Sequence, residues 1–577
     1  MMETAETAPF RIGSTVRALR CALRRETGHE AEPEHTDSAE RSTNERDKLW
    51  FKESSAKNLR NRDFLAPNTV LATLYSDGQV PPAVLRRVLS LRGSGVLPLA
   101  GCDITAEGLR VTVDHCTAFR RVLCGMNAYL RPATQRQGCV LINCPALHAK
   151  QAPPTPDTLT LGQLRTVLIA DHLRAVLLRQ GYSVSFCPAL PEESDIISFL
   201  RILGISWPAA SVSWTSEERE EKMRNALENC CYRETDGERG KRASKGEDGG
   251  MTEEVRINLK RVMEDVELQG YDPTLGTCTV QREALCHLAQ LDRAIEDFPA
   301  STATVLHVTS CQDEFRQQQI AMLWRATSAM APQRLVVCGP VKTPGTQMSA
   351  AQYLQLRRAQ MKEASEMKYG EQVEGQTWDD IIRVMTCATV RFELLSTAHT
   401  SPVTLDVQRE VGVSTKGPRG GVFVMYNCAR LHTLFSSYEK GVEQDSLTLM
   451  CNDCSAGVYP EIPAGTELDF SSLKEEGEWL LLFNYLIPFS ELLDQSGQTL
   501  ELEGAGARVN LRTEQVCRFL VSLSKDFSSY YNRVHVLGEP LPHLFNQMFC
   551  RLLLLKALRE LYHSALDSLN LPPIPQL

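Results

Sequence analysis

A chain of 577 residues and 64.4 kDa is too long for a single core and is expected to divide into roughly three or four domains. With 43% hydrophobic and 23% charged residues it is not disordered as a whole, and a net charge of -9 argues only against indiscriminate nucleic-acid binding, because an acidic average hides local basic grooves. Nineteen cysteines lie singly along the chain behind a start, Met1-Met2-Glu3-Thr4, that lacks a basic-then-apolar leader, so reduced thiols and a cytoplasmic location are expected.

Residues 11–25 carry five arginines in the manner of a mitochondrial presequence, but Glu3, Glu6 and the acidic stretch 26–45 oppose that reading. Short helical and strand-like patterns from Phe10 to Leu130, including the alternating segment 109–113, predict an α+β accessory domain over 1–135. Within it, Lys48-Leu-Trp-Phe-Lys52 and Lys57-Asn-Leu-Arg-Asn-Arg62 are basic and partly aromatic. A solvated charged helix is the favoured reading of this segment, and a nucleic-acid contact the alternative.

A buried strand at 139–143 then leads through the turn at Pro153, Pro154 and Pro156 into a helix over 161–180. That helix is expected to bury Leu164, Val167, Leu168, Ala175 and Leu178 on one face and to stop at Gly181 before a strand at 182–186. Residues 215–254 turn Glu-, Arg-, Lys- and Gly-rich, which predicts a charged helix running into a disordered insertion at about 230–254. The α/β alternation resumes with strands at 302–308 and 334–338 around a helix at 315–326, closing an α/β core over 136–385.

From 386 to 577 the pattern is helical. Leu431, Leu434, Phe435 and Tyr438 share one face, as do Phe519, Leu523, Phe527, Tyr530 and Val534, and so do Phe545, Met548, Phe549, Leu552, Leu555 and Tyr562. The fold class expected is therefore α/β plus all-α. The strongest apolar run, 479–489, is short and broken by Asn484 and Pro488, so no membrane span is expected.

Cys451-Asn-Asp-Cys454 is half a zinc site by spacing, with no second pair nearby, and no metal is expected there. Neither His115 beside Asp114 nor His172 beside Asp171 stands in a G-x-S-x-G context, so no hydrolase is read from them.

Taken in order, three stretches resemble arginyl-tRNA synthetase, a class I enzyme with a Rossmann-type core and a DALR-type helical anticodon-binding domain. These are Val140-Leu-Ile-Asn-Cys-Pro145 with Leu159-Thr-Leu-Gly-Gln-Leu-Arg165, then 308–315 with 335–342, then 390–395, 426–431, 527–534 and 551–557. The family's HIGH turn, whose histidines bind ATP phosphates, corresponds here to Thr160, Leu161, Gly162 and Gln163, with both imidazoles gone. Its lysine-rich triphosphate clamp corresponds to Gln347-Met-Ser-Ala-Ala351, with no lysine inside.

The resemblance thus implies a synthetase relative that does not charge tRNA and needs no cofactor of its own. A broken catalytic half beside an intact terminal domain is similar to the DALR anticodon-binding domain-containing proteins. That likeness implies binding of arginine tRNAs and their presentation to a methyltransferase-like 2 type enzyme that makes 3-methylcytidine in the anticodon loop. RNA contacts are expected from Tyr426, Arg430, Lys525, Tyr530, Tyr531, Asn532, Arg533, Arg551, Lys556 and Arg559, since an unpaired loop is gripped by cations set beside aromatic rings. The alternatives are a divergent but active arginyl-tRNA synthetase and an interaction scaffold without RNA binding.

Overall fold

The computed structural model describes residues 8–24, 49–75, 79–149, 153–210, 217–234, 254–266, 269–296, 298, 303–327, 331–370, 375–407, 420–448, 459–496 and 507–575. At the N-terminus an antiparallel sheet of order β1-β2-β4-β3 is formed by β1 (Phe51–Lys52), β2 (Phe64–Pro67), β3 (Leu99–Thr105) and β4 (Gly108–Val113). Helix α2 (Pro82–Leu89) packs on β3 and α1 (Ile12–Arg24) on α2, burying Leu19, Val84 and Val88, while α3 (His115–Cys124) buries Phe119 and Val122 and packs towards the C-terminal helices.

The second layer is a parallel sheet of order β8-β7-β5-β6, made of β5 (Cys139–Asn143), β6 (Ser183–Cys187), β7 (Ala303–Ser310) and β8 (Gln333–Cys338). The chain leaves β5 towards β6 and later returns on the other side of β5, so the carboxyl ends of β5 and β7 flank a topological switch point, where folds of this kind bind ligands. Between β5 and β6 runs α4 (Leu161–Arg179); α5 (Arg282–Glu296) and α6 (Glu314–Ala326) pack on the sheet, and α7 (Ala350–Tyr369) follows β8.

The helical part comprises α8 (Gln376–Leu395), α9 (Gly421–Thr448), α10 (Gln515–Tyr531) and α11 (Pro542–Asp567), with a shorter apolar helical run between α9 and α10 over 476–495. Among the described residues no helix is long and apolar enough to cross a membrane.

Two expectations change. The α4 helix is buried nearly all round rather than on one face, because β-strands lie on one side and α8 on the other, and Leu178, expected in the core, is 42% exposed near its end. Part of the expected insertion, residues 235–253, lies outside the described residues; Arg233, however, bridges Ile257, and Glu234 N donates to Arg256 O at 2.9 Å, so that stretch begins as ordered chain. Gly181 does end α4: its φ is +99°, and a Cβ there would lie 2.6 Å from the Arg136 carbonyl. The pair Cys451 and Cys454 lies outside the described residues.

Candidate nucleic-acid interface

At the switch point the Thr160 and Gln163 side chains of the turn matching HIGH are engaged in a helix cap. Thr160 caps α4 by accepting from Gln163 N at 3.2 Å, and Gln163 Oε1 accepts from Thr160 N at 2.9 Å, a reciprocal capping box. The loop matching the lysine clamp is built the same way: Ser349 Oγ accepts from Gln352 N at 3.2 Å, and Gln352 Oε1 accepts from Ser349 N at 3.0 Å. The two boxes then pair with each other through an isolated Thr160–Ser349 bridge and Ala350 N donating to Leu159 O at 2.8 Å. Lys342 lies outside this loop, exposed on a short strand paired to 403–404.

Beneath the boxes the cleft is filled. Asn143, at the end of β5, sits opposite His307 of β7 and donates to its Nδ1 at 2.9 Å; Gln317 of α6 donates to the same atom at 3.0 Å. His307 Nε2 meets Gln333 Oε1 at 3.0 Å, His148 Nε2 meets Asn143 Oδ1 at 2.7 Å, and the rings of His148 and His287 stack with centroids 3.5 Å apart. Burial holds all three imidazoles neutral, pulling His148 down to about 3, His307 to about 4 and His287 well below the usual value.

The space left, bounded by Pro145, His148, Gln163, Asp313 and the paired Glu283 and Arg316, is about 30 Å³. Waters fit there, whereas sites for nucleotide-sized ligands measure about 300–1,000 Å³. These histidines stand singly at wide sequence separations, and no local pattern announces them.

Next to the capping box, Arg165 ties the core to the helical domain. Its guanidinium, fully buried, donates to the carbonyls of Gly339, Leu394, Thr397, Ala398 and Ser401 at 2.7–3.2 Å. One turn and a half further along α4, Asp171 forms an ion pair of 2.8 Å with Arg391 of α8, which also donates to Leu203 O at 3.0 Å. His172 contacts Ser568 O through Nδ1 at 2.7 Å. His115 stacks on Trp479, and Asp114 caps α3.

The expected RNA-contact residues divide into separate groups. Arg430 lies over the ring of Tyr531, 4.4 Å from its centroid, and over Tyr426 at 5.5 Å, and it donates to Ser528 Oγ at 3.2 Å and Asn532 Oδ1 at 2.9 Å. Among the described residues no carboxylate pairs with it. Tyr426 is 39% exposed and Asn532 exposed, so α9 and α10 together present a guanidinium between two rings at the surface. Lys525 is exposed two turns before Asn532 and shares its side of α10; Arg533 is exposed beside it, with Nε on Ser529 O at 3.1 Å.

Of the other candidates, Tyr530 and Arg551 are corrected, and Arg559 and Lys556 lie apart from the Arg430 cluster. Tyr530 is 1% exposed, packs against the run at 476–481 and donates to Glu478 Oε1 at 3.3 Å, so no base can stack on it. Arg551 donates to the same buried carboxylate oxygen at 2.8 Å and is structural. Arg559 lies 4.3 Å over Phe435, on the side of α9 that carries His432, two residues beyond Arg430 and so about 200° around the helix from it. Lys556 is exposed on α11, which packs against α9 and α10.

Part of the N-terminal basic segment is engaged within the protein, while Lys57 is exposed on the short helix at 56–59. Trp50 is buried; Lys52 donates to Asn484 Oδ1 at 2.5 Å and lies 4.4 Å over Phe483, its pKa drawn down to about 8 by burial; Arg60 pairs with Glu476, and Arg62 with Glu53 at 2.6 Å. Lys52, Arg60 and Asp63, which accepts from Trp479 Nε1 at 2.7 Å, dock the N-terminal domain on the helical one. Lys48 lies outside the described residues.

Comparison with known proteins adds the frame. The family described as DALR, N-terminal domain matches residues 10–129, and the DALR anticodon binding domain matches 424–577. Arginyl-tRNA synthetase from Plasmodium falciparum shares the fold at a TM-score of 0.59 with 11% identity over 99% of this chain and 100% of that one. The Thermus thermophilus enzyme does so at 0.54 with 14% identity over 97% and 100%. An anticodon-binding domain on such a frame supports tRNA binding.

A protein of Danio rerio named DALR anticodon-binding domain-containing protein 3 is 76% identical over 99% of this chain and 100% of its own length. One of Mus musculus with the same name is 41% identical over 92% and 96%. Identity of that extent, across all the elements described, places the chain in the family of DALR anticodon-binding domain-containing protein 3.

Proposed function

We propose that this protein grips an arginine tRNA through Tyr426, Arg430, Tyr531 and Asn532, with Lys525 and Arg533 on its phosphates, and does not aminoacylate it. In this reading it acts in the cytoplasm, is not an enzyme, and hands the tRNA to a methyltransferase-like 2 type enzyme for 3-methylcytidine formation in the anticodon loop. Its three modules run over 1–135, 136–385 and 386–577.

The observation that carries the RNA reading is Arg430, a half-buried guanidinium held between two aromatic rings and, among the described residues, by neutral partners. An unpaired base stacks on such a platform, and the charge meets its phosphate. Loss of charging is supported by the cleft, where both ATP-binding signatures have become helix caps that bond to each other above a cavity of about 30 Å³. Arginine specificity and the methyltransferase partner rest on the resemblance.

Filter binding at fixed salt is expected to give about a hundredfold weaker tRNA affinity for Arg430→Glu, which removes a stacked cation and adds a repelling anion. Binding equal to wild type would refute the surface and favour the scaffold reading. Arginine-dependent pyrophosphate exchange at or near the background rate is expected in the same preparation; robust exchange would make the protein a synthetase. Immunoprecipitation of the methyltransferase with the protein, and loss of 3-methylcytidine from arginine tRNAs on its depletion, test the partnership.

A further inference from the structure

We infer that the RNA-reading surface continues off the helical bundle onto the end of α7 and the start of α8, where Tyr369, Trp378 and Lys368 form a second stacking platform for the adjacent unpaired nucleotide. This rests on the tRNA reading above and extends it to residues outside the matched anticodon-binding domain.

Lys368 is the link. Its Nζ lies 5.3 Å from the ring centroid of Tyr426 and 4.5 Å from that of Tyr369, and it donates to the Tyr369 hydroxyl at 2.6 Å. Tyr369 is followed by Trp378, whose ring centroid is 5.1 Å away and tilted by 46°. The sequence of groups is therefore Tyr531, Arg430, Tyr426, Lys368, Tyr369, Trp378: rings and cations in alternation, ending in a ring pair, across three helices and the start of a fourth.

Next to them Met367 is 76% exposed, an apolar side chain held in water at the edge of the row. The carboxylates nearest in sequence to Trp378 face cations, Asp379 towards Arg358 of α7 at 3.9 Å and Asp380 towards Arg383 of its own helix at 3.3 Å, which blunts their repulsion of phosphate. A duplex offers stacked, inaccessible base faces and cannot use alternating platforms; a loop of splayed bases can, one base to each ring cluster with a cation at each intervening phosphate. The ligand that fits is a tightly turned single-stranded RNA loop of at least two consecutive unstacked nucleotides.

The test uses the full chain, tRNA, an isolated anticodon stem-loop and a blunt duplex of equal length. Tyr369→Ala with Trp378→Ala is expected to weaken stem-loop binding on the order of tenfold while leaving duplex binding unchanged. Lys368→Glu, a change at an exposed position that leaves the packing intact, is expected to weaken binding and lower the slope of log affinity against log salt by about 1. Chemical probing should show two neighbouring loop nucleotides protected by the wild type and only one by either variant. If all these variants bind and protect as the wild type does while Arg430→Glu loses binding, the second platform is wrong and the tRNA reading stands; if Arg430→Glu also binds normally, both fall.

Discussion

Replacing Arg391 by leucine is expected to lower the free energy of unfolding by about 3–5 kcal/mol, because Asp171 would be left charged and unpaired in the interior. The two side chains are 0% and 1% exposed and meet at 2.8 Å, with α4 on one side and α8 on the other. Exchanging both together, Asp171→Leu with Arg391→Leu, removes the stranded charge along with its partner and should recover most of that loss. Urea denaturation of the two single variants and the double variant measures the coupling. A single variant within about 1 kcal/mol of wild type would mean that the pair is solvated or replaceable and does not join the core to the helical domain.

Acid is expected to destabilise the core before ordinary carboxylate titration sets in. His148, His287 and His307 have folded pKa values held below the unfolded value by burial, to about 3 for His148 and about 4 for His307. In that situation the unfolded chain binds more protons, so the stability due to neutral rings is fully present above pH ~6.5 and falls as the pH drops towards the folded values. Each ring withdraws up to about 2 kcal/mol by pH 5.

The buried carboxyls Glu393, Glu478, Glu491 and Asp494, raised by burial, oppose this trend as they take up protons, so the total slope mixes both. His287→Phe isolates the imidazole part: it keeps a ring against His148 and removes one titrating group. The difference in unfolding free energy between pH 7 and pH 5 should shrink by up to about 2 kcal/mol, the share of one ring. An unchanged difference would place the His287 charge in water.

Much of the frame is written in local pattern. The strand at 139–143, the helix that Gly181 stops and the strands bracketing 315–326 are each specified by their own apolar period and punctuation, and the α/β alternation follows from them. What local pattern does not carry is which of two neighbouring side chains faces inward. Tyr530 and Tyr531 are one residue apart and about 100° apart on α10, and only the position of Glu478 on another helix decides that the first is core and the second surface.

The same holds for Arg551 against Arg430, both read as candidates from their type. Lys368, Tyr369 and Trp378 went unnoticed because they straddle a helix junction and become one cluster only when α7 and α8 fold back on each other. The basic segment at 48–62 reads by local pattern as a charged surface, yet Lys52 and Arg60 serve to seat one domain on another.

The Arg165 clasp has a mechanical corollary. A single guanidinium that gathers five backbone oxygens from the end of β8, the last turn of α8 and the chain after it removes the natural pivot between the nucleotide-type fold and the helices that carry Tyr426 and Tyr531. Such a scaffold is stiff, a jig rather than a pair of tongs. An RNA seated on it would be offered at a constant height and angle, which suits delivery to a second protein better than the opening and closing that a turnover cycle demands.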